Sequence, residues 1–414
     1  MTDFAHLSAA DDAARRRSIA FLNLAHGIDH FVLLIYPTVV IGLEVIYGRP
    51  YSELIVLSSA AFLAFGIFSL PAGWLADRWS RRNMMAAFYL GCGVSLAAAG
   101  LAPNLTMLAV AMFALGIFAA IYHPVGMAML IEASGAKGRT LAFNGVCGNL
   151  GVSLAAGISA ALASWLGWRW AFFAPALISF VTGIVYVWMT PDDGHHASKR
   201  KSAPAVALTP RLMVIMFSLF IMIALSAGLT FNVLTIALPK IVDERLSGSM
   251  SLSMVGSIAT LVLVCGALAQ LTVGRLVEWV APHIIFAAVT GIGFLGNLWA
   301  AYANGTALLV ALAVAVAAIY GQVTVNDMIM ARYTADAWRG RVYAVRYFLL
   351  FISAGAAIGM IAVLHKAGGF TLVLSVNAVI ALVLFLFTLG LVAMIMRIEG
   401  KQQAKQRATV QPAE

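Results

Sequence analysis

Residues 68–90 read FSLPAGWLADRWSRRNMMAAFYL, and this stretch decides the class of fold. An apolar run ends, a loop with one aspartate and three arginines follows, and a second apolar run begins. Such runs recur along the 414 residues, of which 62% are hydrophobic and only 10% are charged. A soluble domain carries about 25% charged residues. The composition therefore predicts an all-α membrane protein with lipid around much of its surface.

The sequence predicts twelve transmembrane helices. A span needs about 20 mostly apolar residues, and twelve such runs are bounded by charges or turn signals. They occupy approximately residues 19–46, 53–76, 83–102, 105–131, 140–166, 168–190, 211–241, 251–277, 283–303, 306–333, 340–366 and 369–396.

A long polar stretch, 191–210, divides these spans six and six and is predicted to be a cytoplasmic linker. We therefore expect a cytoplasmic segment 1–18, a six-helix bundle 19–190, the linker, a second six-helix bundle 211–396 and a cytoplasmic tail 397–414. The apolar run after residue 18 is too long for the core of a signal peptide, which makes it the first span.

The net charge of +9 indicates membrane orientation rather than a nucleic-acid partner. If both termini are cytoplasmic, most of the 26 Lys and Arg residues fall in cytoplasmic segments, as membrane insertion favours. No basic stripe with interleaved aromatic residues is visible in the sequence, so we expect no binding of nucleic acid.

The two halves of the sequence repeat each other at an offset of 201 to 202 residues. Gly73 and Asp77 at the end of the second span correspond to Gly274 and Glu278 at the end of the eighth. Likewise, the Lys-Gly-Arg that opens the fifth span corresponds to the Arg-Gly-Arg that opens the eleventh. Parallel repeats of six spans are typical of one class of secondary transporter.

The loop after the second span resembles the signature of the major facilitator superfamily. The matching residues are Gly73, Asp77, Arg78, Arg81 and Arg82. The resemblance implies two pseudo-symmetric six-helix bundles and a cytoplasmic gate made by this loop and its degenerate copy at Gly274 and Glu278. The alternative is that the arginines only set the topology of the chain.

Three motifs in the first half resemble those of the fosmidomycin-resistance exporters within that superfamily. They are His26 with Asp29, Tyr122-His123-Pro124, and Gly148-Asn149-Leu150-Gly151. The resemblance implies proton-driven export of a small molecule.

Ionisable residues inside a span need a reason, because each costs several kcal/mol to insert. His26 and His30 share a helix face at a spacing of four, and Asp29 lies near that face. A carboxylate beside imidazoles is a plausible proton relay, since imidazole titrates near physiological pH. The alternatives are a polar cluster that ties helices together and a transition-metal site completed by Asp29 or His123.

Asp327 and Arg346 form a second charged set at similar depth in the tenth and eleventh spans. Pairing would lower the cost of burying each. A buried guanidinium also binds phosphate, phosphonate or carboxylate groups in two places. The pair is thus either a substrate or gating site, which would favour an anionic substrate, or a structural ion pair.

Further polar residues could line the same cavity. They are His123 beside Pro124, Asn144, which corresponds to Arg346 in the repeat, Asn232 and Asn326. Asn232 and Asn326 are alternatively hydrogen-bonding contacts between helices, and His123 alternatively satisfies the backbone carbonyl that Pro124 leaves free.

The sequence therefore predicts an exporter in a bacterial inner membrane that exchanges a small organic molecule for protons. The alternative of the same architecture is a proton symporter that imports an organic anion or a metal chelate. We expect a monomer with no cofactor and no resident metal ion. An intramembrane enzyme is disfavoured, because no nucleophile elbow, HExxH motif or phosphate-binding loop is present in a suitable context.

Overall fold

The computed structural model of the protein is helical throughout the residues that it describes, which are 2–134, 138–190, 209–246, 250–334 and 336–410. Nearly all of the predicted linker, 191–210, lies outside the described residues. The helices, numbered in chain order, are α1 Thr2–Tyr47, α2 Tyr51–Leu54, α3 Ser59–Ala76, α4 Arg81–Leu101, α5 Leu105–Ala119, α6 Met127–Ser134, α7 Gly138–Leu166, α8 Trp170–Met189, α9 Pro210–Leu246, α10 Leu252–Leu276, α11 Pro282–Tyr302, α12 Gly305–Tyr333 and α13 Asp336–Val410.

Two short segments of other helix types connect these elements. A 3₁₀ segment, Ile55–Ser58, joins α2 to α3, and a π-helical segment, Tyr122–Gly126, joins α5 to α6. Pro124 lies within the π-helical segment and has no N–H to donate, so an ordinary α-helical ladder is interrupted there.

Within the described residues, eleven segments are long and apolar enough to cross a membrane. The last of them, Phe348–Gly400, has 53 residues. At 1.5 Å per residue it would measure about 80 Å, whereas a hydrocarbon core is about 30 Å thick. The backbone of this segment leaves the helical region at Gly368 and Gly369, and Gly369 has a φ of +61°.

Helix ends are fixed by side-chain caps that accept the free N–H groups of a first turn. Ser80 accepts from the N–H of Asn83 at 3.2 Å, and Asn104 accepts from the N–H of Met107 at 2.9 Å. These caps start α4 and α5 at the ends of short connections, so neighbouring helices run antiparallel.

The helices pack as two groups, the N-terminal half (α1–α8) and the C-terminal half (α9–α13). In the first group α1 packs on α7 and α4 on α8, and in the second α9 packs on α13 and α11 on α12. The halves meet where α7 packs on α10 and α3 on α13. Gly256 allows α10 to approach α7 closely, since an added Cβ there would lie 2.5 Å from the carbonyl oxygen of Ala156.

Both ends of the described chain are helical. Over the predicted polar segment 1–18, α1 extends back to Thr2, and over the predicted tail 397–414, α13 continues to Val410. These segments are rich in alanine, arginine, lysine and glutamine, which are good helix formers. An ion pair of 3.1 Å between Arg15 and Asp12, three residues apart, stabilises the first of them.

Candidate functional site

Three imidazole rings meet inside the N-terminal half. His26 and His30 lie one turn apart on α1, with ring centroids 5.0 Å apart. His123 comes from the π-helical segment, and its ring centroid lies 5.5 Å from that of His26 and 5.3 Å from that of His30. The interrupted helix at Pro124 is what presents His123 to α1. We call these three residues with Asp29 the histidine cluster.

Asp29 is the carboxylate of the histidine cluster and has no exposed surface. Its Oδ2 lies 3.3 Å from Nε2 of His123. The sequence places Asp29 near the face of His26 and His30, but in the structure its close imidazole is the one on the facing segment. Successive helical residues are rotated by 100°, so Asp29 turns away from His30 toward that neighbour.

The position of His26 is fixed by α7. Nδ1 of His26 lies 2.8 Å from the carbonyl oxygen of Asn144, and a Cβ on Gly148 would approach Nε2 to 2.6 Å. The Asn144 amide donates to the carbonyl of Leu22 at 3.2 Å, and its oxygen accepts from Tyr122 at 3.1 Å. Asn144 has no exposed surface. Asn144 therefore ties α7 to α1.

The same geometry bears on metal binding. Ligand atoms of His26, His30 and His123 all lie within 4.8 Å of one another, and imidazole suits several first-row transition metals. The cluster could therefore hold an ion after small side-chain movements. The expectation that the protein has no resident metal stays a prediction.

The C-terminal half contains an ion pair between a guanidinium and a carboxylate within its membrane-spanning helices. Nη1 of Arg346 on α13 forms an ion pair with Oδ1 of Asp327 on α12. The Arg346 side chain is 7% exposed and that of Asp327 is 40% exposed. The structure thus brings together the two residues that the sequence predicts at similar depth, and the carboxylate faces the more open side.

The two predicted asparagines of this half differ in their surroundings. The Asn232 amide donates to the carbonyl of Gly228 at 2.8 Å and reaches the carbonyl of Leu350 on α13 at 3.4 Å. It therefore links α9 to α13. Asn326 is buried on α12, one residue before Asp327.

An aromatic residue that sequence reasoning missed connects the two halves. The Phe351 ring on α13 lies 4.4 Å from the ring of Phe65 on α3 and 4.9 Å from that of His123. A side chain of the C-terminal half thus touches the histidine cluster directly. A lone phenylalanine in an apolar span gives no sequence signal for this contact.

The Asp77 loop, residues 73–82, has its described ion pairs and side-chain hydrogen bonds to partners in the N-terminal half. Asp77 pairs with Arg81 at 3.3 Å, Arg81 pairs with Glu132 at 3.2 Å, and Nε of Arg82 donates to the carbonyl of Thr190 at 2.8 Å. The guanidinium of Arg78 lies over the ring of Trp74, four residues earlier in the chain, at 4.1 Å from the ring centroid. These contacts join α3, α4, α6 and the end of α8.

Glycine has different surroundings in the loop and in its copy. A Cβ on Gly73 would lie 3.2 Å from Cβ of Pro124, so this residue lets α3 approach the π-helical segment. A Cβ on Gly274 would meet nothing within 4 Å among the described residues. Glu278 follows the end of α10, where its N–H donates to the carbonyl of Arg275 at 3.1 Å.

A second charged group, which the sequence analysis did not single out, lies at the opposite end of the molecule. We call Glu44, Lys240, Asp243, Glu244 and His365 the Lys240 cluster. It borders Tyr51, whose N–H donates to Glu44 at 2.9 Å. Tyr51 begins the candidate span Tyr51–Ala76, and Asp77 follows its end. The 26 residues of this span measure about 39 Å as a helix, so the Lys240 cluster and the Asp77 loop lie at opposite ends of the molecule. In the sequence this cluster is indicated by three charged residues, Lys240, Asp243 and Glu244, within about one helical turn after Pro239.

Comparison with protein families matches residues 19–249 to the family model described as Major Facilitator Superfamily. Over 126 residues the chain is 29% identical to the puromycin resistance protein pur8 of Streptomyces alboniger, covering 30% of this chain and 25% of that protein. Over 150 residues it is 27% identical to the probable L-galactonate transporter of Escherichia coli strain K12, covering 36% of this chain and 33% of that protein.

A solved structure shares the fold over almost the whole chain. It is a bacterial homolog of the human lysosomal transporter Spinster in an inward-facing and unoccupied conformation. The TM-score is 0.77 at 13% sequence identity, and the alignment covers 93% of this chain and 98% of that one. By contrast, the matches to the two curated relatives span only a quarter to a third of those proteins.

Proposed function

Because the chain belongs to the Major Facilitator Superfamily, we propose that it exports a small organic molecule in exchange for protons by alternating access. Proteins of this family are transporters and not enzymes. The chain is accordingly a multi-pass membrane protein with a small-molecule substrate. Direction, coupling ion and substrate class are the parts that we propose.

The proposed topology has twelve spans, with both termini in the cytoplasm of a bacterial cell and the protein a monomer in the inner membrane. The non-helical backbone at Gly368 and Gly369 supports a division of the last apolar segment into two spans. The distribution of Lys and Arg supports the orientation. Bundles over 19–190 and 211–396 follow from this arrangement.

The observation that carries the proton-coupling proposal is the burial of Asp29 against an imidazole. A carboxylate inside a membrane protein marks a proton or substrate pathway by default. We propose that Asp29 carries the proton and that His26 and His30 relay it, with His123 as the partner that faces the carboxylate. Contact between His123 and Phe351 supplies a route by which the proton state can reach the C-terminal half.

We propose that the substrate binds between the halves and contacts Arg346, Asp327, Asn326 and His123, while Asn232 joins α9 to α13. The guanidinium of Arg346 favours an anionic or zwitterionic group. Since Asp327 occupies the guanidinium in this structure, an anionic substrate would displace or share that partner. Asn144 would act on this site through His26, whose ring it positions.

The Asp77 loop is proposed to close the cytoplasmic mouth in the other conformation of the cycle. Gly73, Asp77, Arg78, Arg81 and Arg82 would then meet the copy at Gly274 and Glu278. In this structure the described ion pairs of the loop stay within one half, whereas the Lys240 cluster joins both halves. This pattern supports an inward-facing state.

Export is supported by the similarity to a puromycin resistance protein and by the motifs shared with fosmidomycin-resistance exporters. Import is the second candidate, because a probable L-galactonate transporter is also similar. In that case the protein would be a proton symporter for an organic anion or a metal chelate.

Transport into membrane vesicles separates the two directions. Everted vesicles with an acidic lumen should accumulate puromycin or another drug-like compound, and a protonophore should abolish the uptake. Accumulation of L-galactonate in right-side-out vesicles, driven by external acid, would instead establish import. Uptake that is insensitive to the protonophore in both preparations would contradict proton coupling.

A further inference from the structure

The Lys240 cluster spans the boundary between the two halves. Glu44 belongs to α1, whereas Lys240 belongs to α9, and the two side chains form an ion pair. The Lys240 side chain is only 8% exposed. Water and salt screen such a pair less than they screen a surface pair, so it can stabilise contact between the halves.

Aromatic rings close the junction around this ion pair. The Tyr51 ring lies 5.2 Å from the ring of His365 and 6.1 Å from that of Phe370, both on α13. The ammonium of Lys240 lies 5.7 Å from the Tyr51 ring centroid. Because the Tyr51 N–H also donates to Glu44, both partners of the ion pair are positioned by the same residue.

Lys240 has carboxylate partners in its own half as well. Its Nζ lies 2.9 Å from Asp243 and 3.5 Å from Glu244, which follow three and four residues later on α9. If the halves separate, the ammonium keeps these two partners. The contact with Glu44 can therefore break without leaving an unpaired buried cation, which would be strongly destabilising.

His365 adds a titratable charge to the same network. Its Nε2 lies 3.0 and 3.1 Å from the two carboxylate oxygens of Glu244. With neutral His365, the charges of Lys240, Asp243 and Glu244 sum to minus one and face the negative Glu44. Protonation of His365 brings that sum to zero and removes the excess repulsion across the boundary.

Arg245 follows Glu244 on α9 and donates to the carbonyl oxygens of Ala300 and Ala301 at 3.2 and 3.0 Å, which directs its charge away from this sum. Other described groups lie near His365. Tyr51 faces it from α2 with a phenol, which is neutral at physiological pH. Glu53 of α2 is half exposed and pairs with Arg49 at 3.9 Å. Lys366 follows His365 on α13 and is exposed.

We propose that the Lys240 cluster is a latch that holds the two halves together at this end, and that protonation of His365 tightens it. The latch rests on the proposed function in one respect, which is that the halves move relative to each other. It would favour the state that is closed at the Lys240 end when the surrounding pH falls.

Spin-label distances in purified protein test the latch without any substrate. Cys92, Cys147 and Cys265 are first replaced by alanine. One label pair, at Val45 and Val363, reports the Lys240 end, where both residues are exposed. A second pair reports the Asp77 end and uses the exposed Trp79 and Trp279.

Lys240→Met should raise the long-distance population at the Lys240 end by about fivefold or more and shorten the distance at the Asp77 end. Glu44→Gln, which is nearly isosteric, should do the same and keeps the test valid if Lys240→Met misfolds. The matched control Asp243→Asn removes a partner within one helix and brings the charge sum of Lys240, Asp243 and Glu244 to zero, so it should not raise the long-distance population. Unchanged distances in both Lys240→Met and Glu44→Gln would overturn the latch.

A change from about pH 7.5 to pH 5.5 should lower the long-distance population of the wild type, because a positive charge gained at His365 would remove the net repulsion between the C-terminal half of the cluster and Glu44. His365→Gln should remove that response. A response of the same size in His365→Gln would overturn the role of His365. Since these distances require no transported compound, failure of the vesicle assay and failure of the latch are separate outcomes.

Discussion

Each half of the molecule places a carboxylate within a candidate membrane span, but the two carboxylates have different partners. Asp29 has no exposed surface and faces the imidazole of His123. Asp327 is partly exposed and faces the guanidinium of Arg346. A guanidinium stays charged at any physiological pH, whereas an imidazole gains or loses a proton.

This difference suggests a division of labour between the halves. The histidine cluster can change its net charge during a transport cycle, because all of its members titrate. The Asp327–Arg346 pair keeps one positive and one negative charge, and so offers a fixed pattern for a substrate to recognise. Phe351 touches His123 from the half that holds Arg346, which places a physical contact between the two functions.

Of the substitutions that test this comparison, Asp29→Asn should have the largest effect on transport. The amide preserves size but cannot carry a proton, so we expect proton-coupled flux to fall by about 100-fold or more. Pyranine trapped in proteoliposomes would measure the proton movement that accompanies transport. Asp29→Glu, which keeps the carboxyl group, should retain part of the flux, and full flux in Asp29→Asn would remove this residue from the mechanism.

Arg346→Lys should weaken binding of an anionic compound by about tenfold, since a lysine cannot reproduce the two-pronged contact of a guanidinium. A neutral compound should be affected much less. Thermal-shift titrations with matched anionic and neutral ligands would give both affinities. Equal losses for the two compounds would indicate that the Asp327–Arg346 pair is purely structural.

Gly148→Ala should lower flux several-fold and destabilise the fold by about 1–3 kcal/mol, because the added methyl group overlaps His26. Gly145→Ala is a matched control on the same helix, since a Cβ there meets no atom of the described residues within 4 Å. Melting temperature and flux should be measured for both variants. If the two behave alike, tight packing behind His26 is unimportant.

Asn232→Ala should have the smallest effect, a loss of about 0.5–1 kcal/mol of stability with little change in flux. Interhelical hydrogen bonds in membranes average about 0.6 kcal/mol, and the Asn232 amide contacts the carbonyl of Leu350 on α13. Reversible unfolding in mixed detergent would measure this loss. A large loss of substrate affinity at normal stability would show that Asn232 contacts the substrate instead.

Most helix positions could be predicted from the sequence, because a membrane span demands a long apolar run between polar ends. The predicted span 83–102 corresponds to Arg81–Leu101, and 283–303 corresponds to Pro282–Tyr302. Helix continuity was harder to predict. Charged but helix-favouring residues extend α1 to Thr2, whereas the boundary predicted near residue 367 coincides with the non-helical backbone at Gly368 and Gly369.

Pairings between distant segments were only partly predictable. Asp327 and Arg346 lie close in sequence on consecutive helices, so their equal depth could be estimated by counting residues. The contact between Asp29 and His123 depends on how the π-helical segment approaches α1, which no local pattern encodes. Lys240 lies at the end of the predicted span 211–241, whereas α9 continues to Leu246 and so carries its partners Asp243 and Glu244 on the same helix.

Counting protons on substrate binding tests the central claim most directly. Calorimetric titration of the purified protein, in buffers with different ionisation enthalpies, gives the number of protons exchanged per bound molecule. With the compound that the vesicle assay identifies, an exchanger should release about one proton on binding near pH 7, and Asp29→Asn should release none. Binding without proton exchange in the wild type, or the same release in Asp29→Asn, would contradict proton coupling at Asp29.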